Sequence, residues 1–382
     1  MKKNFLLDEI IEKELVRQES GWNLIASENC CYDEVYYYNN TVMTNKYAEG
    51  TYDNRFYEGC QYSNEIEKLA VDEVKKLYGM PYANVQPHCG SSANLIAYLA
   101  SLEKGDTILS MDFAAGGHLS HGHPKNITSL LYHFVHYNVD PLTHYIDYNH
   151  VEWQLQKYSP KMLISGASSY SRLIDYKIMH QLAQKYNAIH LVDMAHIAGL
   201  IAARVIPSPV GFCDIVTSTT HKTLRGPRSG FILAEERFSK KINLAVMPGL
   251  QGGPFIHTIA AKAWLFDFAK TSEFALYQNQ IVKNCQLMIS VFKEHSIPII
   301  SGGSDNHLFV LDLRSFNKTG KEVAEELGRY NIYVNKNMIP YDTKSPFVTS
   351  GIRIGTPFIT AQNKTSDQIV ALTSQIASII AK

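Results

Sequence analysis

From Ile66 to Leu77 the apolar positions Ile66, Leu69, Ala70, Val74 and Leu77 recur at helical spacing. Asn64, with Glu67 three residues on, reads as the cap of that helix and its reciprocal partner. Further along, the period changes. DTILSMD (106–112), KMLISGAS (161–168), IHLVDMA (189–195), DIVTSTT (214–220) and GFILAE (230–235) are short apolar runs that read as strands. LIDYKIMHQLAQKYN (173–187) is an amphipathic helix between two of them. Apolar strands separated by helices imply a largely parallel sheet covered on both faces. Ligands of such sheets gather at the carboxyl ends of the strands. Ser168, Asp193, His196 and Lys222 all fall there.

MPGLQGGPF (247–255) breaks this alternation, and a long helical stretch, roughly 257–294, follows. A strand (306–313), a helix (320–330) and a turn-rich segment ending in SGIRIGTP then predict a smaller C-terminal α/β domain. The start, MKKNFLLDEIIEKEL, reads as an amphipathic helix and not a secretion signal, because Asp8, Glu9 and Glu12 interrupt its apolar run. The expected division is an N-terminal arm (1–45), a large domain (46–270) and a small C-terminal domain (271–382).

Charge narrows the partners. Thirty-six basic residues balance 36 acidic ones, so no overall basic field points to nucleic acid or an anionic membrane. No stretch approaches the roughly 18 apolar residues of a membrane span. The six cysteines are scattered, without a C-x-x-C pair, which fits reduced thiols in a cytoplasmic protein.

Candidate chemistry sits at the strand ends. Lys222 lies in TSTTHKTLRGPRSG (217–230), among small hydroxyl residues and few carboxylates. Partial desolvation there would expose a nucleophilic amine able to form an imine with a carbonyl, including that of pyridoxal phosphate. The competing reading is a surface lysine. Asp193 ends a strand and could hold a pyridinium nitrogen protonated, or merely cap the next helix. His196 could lie against a cofactor or hydrogen-bond in the core. Cys89-Gly90-Ser91-Ser92 opens an apolar helix, an N-terminus suited to phosphate or an ordinary serine cap. The histidines of GGHLSHGH (116–123) invite a metal, but no cysteine flanks them and the nearest acid is Asp112. His118 as a plate over a planar cofactor fits better, with no metal. Arg353 could clamp a carboxylate or serve in a structural ion pair. Together these residues describe a pyridoxal-phosphate enzyme acting on an amino acid.

LIASEN, TNKYAEG, YANVQPH, GGHLSHG, LVDMAHIAGLIAA, TSTTHKTLRGPR, QGGP, SGGSDNHLF, VNKN and KSPFVTSGIRIGTP, in this order from about residue 20 to 358, closely resemble the serine hydroxymethyltransferase family. The resemblance implies pyridoxal-phosphate fold type I: a large domain with a mostly parallel seven-stranded sheet covered by helices, plus the small domain. It implies interconversion of serine plus tetrahydrofolate with glycine plus 5,10-methylenetetrahydrofolate, through a Lys222 imine and a glycine quinonoid. It also implies a homodimer or dimer of dimers with shared active sites. Residue by residue, Lys222 resembles the imine lysine, Asp193 the pyridinium partner and His118 the stacking histidine. Ser168 and His196 resemble the groups around the phenolic oxygen, and Gly90, Ser91 and His221 the phosphate contacts. Tyr47 and Gly253 resemble phosphate contacts from a neighbouring subunit. Arg353 resembles the substrate-carboxylate clamp, with Ser27 and Tyr57 nearby, and Arg228 an arginine near the cofactor. Glu49 resembles the proton-handling carboxylate that also touches folate. Phe56, Phe113, Leu119, Asn337 and Phe347 fall at folate-side positions.

The chain departs from the family's pattern mainly there. Phe56 replaces a tyrosine, Cys89 a serine near the phosphate, and Phe113 and Ala115 a leucine and a histidine; the C-terminus is short. These changes raise an alternative: a folate-independent aldolase or transaldolase acting on β-hydroxy amino acids.

Overall fold

A computed structural model describes residues 5–382. Its seven central strands are β1 (Tyr82–Asn84), β2 (Thr107–Met111), β3 (His133–Tyr137), β4 (Met162–Ser165), β5 (Ile189–Asp193), β6 (Ile215–Thr219) and β7 (Gly230–Ala234). They are ordered β1-β7-β6-β5-β4-β2-β3. From β3 to β6 neighbours run parallel, while β7 is antiparallel to both β6 and β1. All five strands expected from apolar runs are present, within wider predicted bounds. Every residue of β4, β6 and β7 is buried, as continuous apolar strands require. On one face Val71 and Val74 of the helix Gln61–Tyr78 and Ile256, Ile259 and Phe266 of the helix Ile256–Phe268 pack against Val192, Val216 and Phe231. On the other, Ala93, Ile96 and Ala97 of the helix Gly90–Ser101 pack with Ile164, Leu191 and Ile232.

A second, smaller α/β unit holds β8 (Leu308–Asp312), β9 (Asn335–Asn337) and β10 (Gly351–Gly355), antiparallel in the order β8-β10-β9. Phe309, Ile352 and Ile354 form its core with Met288 and Phe292 of the helix Ser272–Glu294 and Ile369, Leu372 and Ile376 of Ser366–Ala381. Leu24 joins that core, and Trp22–Asn23 pairs in parallel with Ile332–Tyr333, so the segment behind the first helix is built into the C-terminal unit.

Two local expectations are corrected. The helix expected to be capped by Asn64 begins at Gln61, so Asn64 lies inside it. Asn64 and Glu67 both accept from the guanidinium of Arg55 instead, at 2.8 and 2.5 Å, because that buried cation needs acceptors more than a surface helix end does. The stretch 257–294 is two helices, broken at Ala269–Thr271, where Thr271 Oγ1 caps Phe274 N. The first helix, Phe5–Ser20, buries none of its residues, and Phe5, Leu6, Ile10, Ile11, Leu15 and Val16 are exposed. Residues 1–4 of the segment expected to be helical lie outside the described residues.

Candidate active site

The carboxyl ends of β4, β5 and β6 open on a cavity of about 470 Å3. Into it the large unit sends Ser168, Asp193, His196, His221 and Lys222; the small unit contributes Asn337 and Arg353. Ser27, Gly90, Ser91, Phe113, His118, Leu119 and Arg228 complete the set of sequence-predicted residues that line it.

Lys222 is 8% exposed, and its Nζ has no hydrogen-bond partner among the described residues. Burial pulls its pKa down to about 8; Asp193 opposes that shift, while Arg353 and Arg228 add to it. The turn that holds it is fixed both from within and from outside. Asn29 Nδ2 donates to Lys222 O at 2.8 Å, Gly226 N donates to Thr220 O at 2.8 Å, and Thr223 Oγ1 donates to His196 O at 2.9 Å. Arg225, at φ 63°, stacks over Tyr32 and donates its Nε to Cys30 O at 2.6 Å.

Asp193 is held ionised. Burial alone would raise its pKa, but His121 Nε2 at 2.9 Å and the charges around it drive it well below the usual carboxylate range. Asn94 Nδ2 donates to the same oxygen at 2.8 Å, and Ala195 N to the other at 3.0 Å. His121 Nδ1 accepts from His118 N at 3.4 Å, leaving Nε2 as the donor. His118 Nδ1 accepts from Ser120 N and faces Ser120 Oγ at 2.7 Å, and burial lowers its pKa to about 4. One potential ligand atom each of His118, His121 and Asp193 lies within 4.8 Å of the others, a spacing open to a metal ion. The hydrogen bonds just described account for the arrangement without one.

Arg353 is also buried, and no carboxylate pairs with it among the described residues. Nη1 donates to Ser168 O at 2.6 Å, and Nε and Nη2 share Asn335 Oδ1 at 3.1 and 2.8 Å. Burial lowers its pKa to about 10, so it remains a cation. His196 lies 3.2 Å from His307 Nε2 through Nδ1 and is kept neutral by burial and by Lys222.

These features fit pyridoxal phosphate and an amino acid. Lys222, Arg228, Lys336 and Arg353 face a single lining carboxylate, Asp193, a positive excess suited to a phosphate and a carboxylate. Gly90 and Ser91 open a 12-residue helix at one wall. His221 Nδ1 is buried without a partner, and burial lowers its pKa to about 3.

Residues 2–376 match the family model for serine hydroxymethyltransferase. Over 371 residues the chain is 49% identical to a serine hydroxymethyltransferase of Coprothermobacter proteolyticus, covering 97% of this chain and 89% of that protein. Over 372 residues it is 50% identical to a serine hydroxymethyltransferase of Acinetobacter baylyi, with the same two coverages. The chain belongs to the serine hydroxymethyltransferase family. As such it is a pyridoxal-phosphate-dependent transferase that interconverts serine and glycine, with tetrahydrofolate as co-substrate. Identity at this level along nearly the whole chain does not favour the folate-independent alternative. No helix among the described residues is long and apolar enough to cross a membrane.

Six of the residues singled out from the sequence do not line this cavity: Tyr47, Glu49, Phe56, Tyr57, Gly253 and Phe347. The first five gather elsewhere. Glu49 precedes the hairpin of Gly50–Thr51 and Asn54–Arg55, and its N–H donates to Tyr57 Oη at 2.9 Å. A Cβ at Gly253 would stand 2.8 Å from the Tyr47 ring, and one at Gly252 would stand 3.8 Å from Glu49 Oε1. Tyr47 and Phe56 are 63% and 67% exposed. Phe347 is exposed, and its carbonyl accepts from Lys336 Nζ at 2.7 Å. Sequence alone assigns no supporting role to Asn94, His121 or His307, which hold Asp193 and His196 in place. His121 and His307 lie inside the quoted motifs GGHLSHG and SGGSDNHLF, and Asn94 is a buried polar residue in the apolar helix opened by Cys89–Ser92.

Proposed function

We propose that this cavity is where the serine–glycine interconversion occurs, with Lys222 anchoring the cofactor and Arg353 the substrate. The observation that carries the assignment is the pairing of an unpartnered buried amine with a buried, acid-free guanidinium in one cavity. Bound pyridoxal phosphate supplies the electron sink that lets the Cα–Cβ bond of serine break. The chain's own residues do the rest. Lys222 would hold the cofactor's aldehyde end. Asp193, kept anionic by His121 and Asn94, keeps the ring nitrogen protonated. Gly90, Ser91 and His221 take the phosphate. Arg353 would orient the substrate carboxylate, and the His118 ring would supply a flat aromatic wall for the cofactor. With purified enzyme and serine, glycine formation should rise at least tenfold on adding tetrahydrofolate; equal rates with and without it would exclude folate as the acceptor.

Tyr47, Glu49, Phe56, Tyr57 and Gly253 are proposed to serve the cavity of a second copy of the chain. Their place outside their own cavity, and the many uncovered apolar residues of Phe5–Ser20, support a dimer. There Glu49 would handle the proton of the substrate hydroxyl, with Phe56 against the folate. Lys222→Ala and Glu49→Gln, each inactive alone, should on refolding together regain roughly a quarter of wild-type activity. Random pairing makes about half the dimers mixed, each with one intact site. No recovery would place Glu49 in its own chain's site.

A further inference from the structure

Lys262 is a buried amine with no part in the chemistry above. It lies on the helix Ile256–Phe268 and is 1% exposed. Its Nζ donates to the carbonyl of Val85, to Ser229 Oγ at 2.8 Å and to the carbonyl of Gly230 at 3.1 Å. No carboxylate contacts it among the described residues. Burial lowers its pKa to about 7, opposed by the charge of Glu67, which is itself bonded to Arg55 and Gln86. A buried amine without a counter-ion is costly, and such costs concentrate where function needs them.

Its three acceptors belong to two segments that meet behind the cavity wall. Val85 opens the run that passes through Pro87 and Cys89 into the helix Gly90–Ser101, whose first residues line the cavity. Ser229 and Gly230 follow Arg228, which also lines it. The two segments are laced together: Ser229 Oγ donates to Pro87 O at 3.1 Å, and Gly230 N to the same carbonyl at 3.0 Å. The contact is close enough that a Cβ at Gly230 would stand 2.5 Å from Cys89 O. Gln251 fastens the far side, donating to Gln86 O at 3.0 Å and accepting from His88 N at 3.0 Å. Lys262 therefore joins, at one atom, the chain leading to Gly90 and Ser91 and the chain leaving Arg228.

We propose that Lys262 is a positioning residue for the phosphate end of the cofactor site, locking the two walls of the phosphate cradle together without touching the ligand. This rests on the reading that the cavity holds pyridoxal phosphate. Removing the ammonium leaves two carbonyls and a hydroxyl short of a donor, and the walls can then shift against each other. The test compares two probes on cofactor-free enzyme: pyridoxal phosphate and pyridoxal, which lacks the phosphate, each titrated by absorbance. Lys262→Met should weaken pyridoxal phosphate at least tenfold and change pyridoxal by less than twofold. Ser229→Ala, a smaller perturbation, should show the same selectivity at reduced size, and it carries the test if the methionine variant does not fold. Equal weakening of both probes, or no weakening of either, overturns the proposal. Wild-type enzyme that binds neither probe would overturn the cofactor reading beneath it.

Discussion

Replacing Lys222 by alanine is expected to lower turnover at least about 1000-fold, because covalent anchoring of the cofactor is lost and Lys336, the other lysine lining the cavity, is engaged on the carbonyl of Phe347. The geometry supports so large an effect. The amine is buried in the cavity without a hydrogen-bond partner, and its pKa is drawn down to about 8. At pH 7 about a tenth of such amines are neutral and nucleophilic, against roughly one in three thousand for an ordinary lysine. Lys262 is lowered further, to about 7, but it is occupied by three acceptors behind the wall and cannot take the role. Borohydride reduction followed by mass spectrometry separates the cases: wild-type chain should keep the cofactor mass, and the alanine variant should not. Cofactor mass still attached to the variant would move the anchor elsewhere. The wild-type rate of capture by an aldehyde should rise as pH climbs through about 8, as the ammonium gives up its proton.

Arg353→Ala should lower kcat/KM for serine by about 30- to 4000-fold, the range set by about 2–5 kcal/mol for truncating one partner of a buried, hydrogen-bonded charge pair. The loss should fall mainly on KM, since the guanidinium binds substrate before chemistry begins. Lysine should not rescue it: Ser168 O and Asn335 Oδ1 engage a planar fork that a single ammonium cannot reproduce. Serinol, which lacks the carboxylate, discriminates a substrate clamp from a structural prop. Its binding should be equally weak in wild type and variant. A variant that lost serinol binding as well would show that Arg353 acts by holding the fold.

The strands that carry the site were legible because burial on both faces demands unbroken apolar runs, and these end at Ser165, Asp193 and Thr219, at or three residues before Ser168, Asp193 and Lys222. β1 was not, since three residues are too few to show a period. β3, HFVHY, was missed because its two histidines break the apolar run. The helix Ser366–Ala381 is encoded by the Thr365–Gln368 capping box, followed by Ile369, Leu372, Ile376 and Ile380 on its buried side. The cofactor-facing residues could be named because a lysine, an aspartate and an arginine in small-residue turns match a definite chemistry. Their supports could not. Asn94 reaches Asp193 across 99 positions and His307 reaches His196 across 111, and no spacing rule anticipates such polar contacts. The hairpin beside Glu49 is a further case, since a sequence names its residues without saying whose cavity they face.

The guanidinium of Arg353 sits on β10 of the smaller unit, yet one of its hydrogen bonds ends on the carbonyl of Ser168 in the larger. The group proposed to recognise the substrate is thus also a rivet across the seam between two cores. Selection on this enzyme cannot easily retune its preference at the α-carboxylate without loosening the joint, and it cannot stiffen or free the joint without disturbing substrate choice. Diversification has an easier route through residues that bear no such double duty, such as Phe56 on its exposed hairpin.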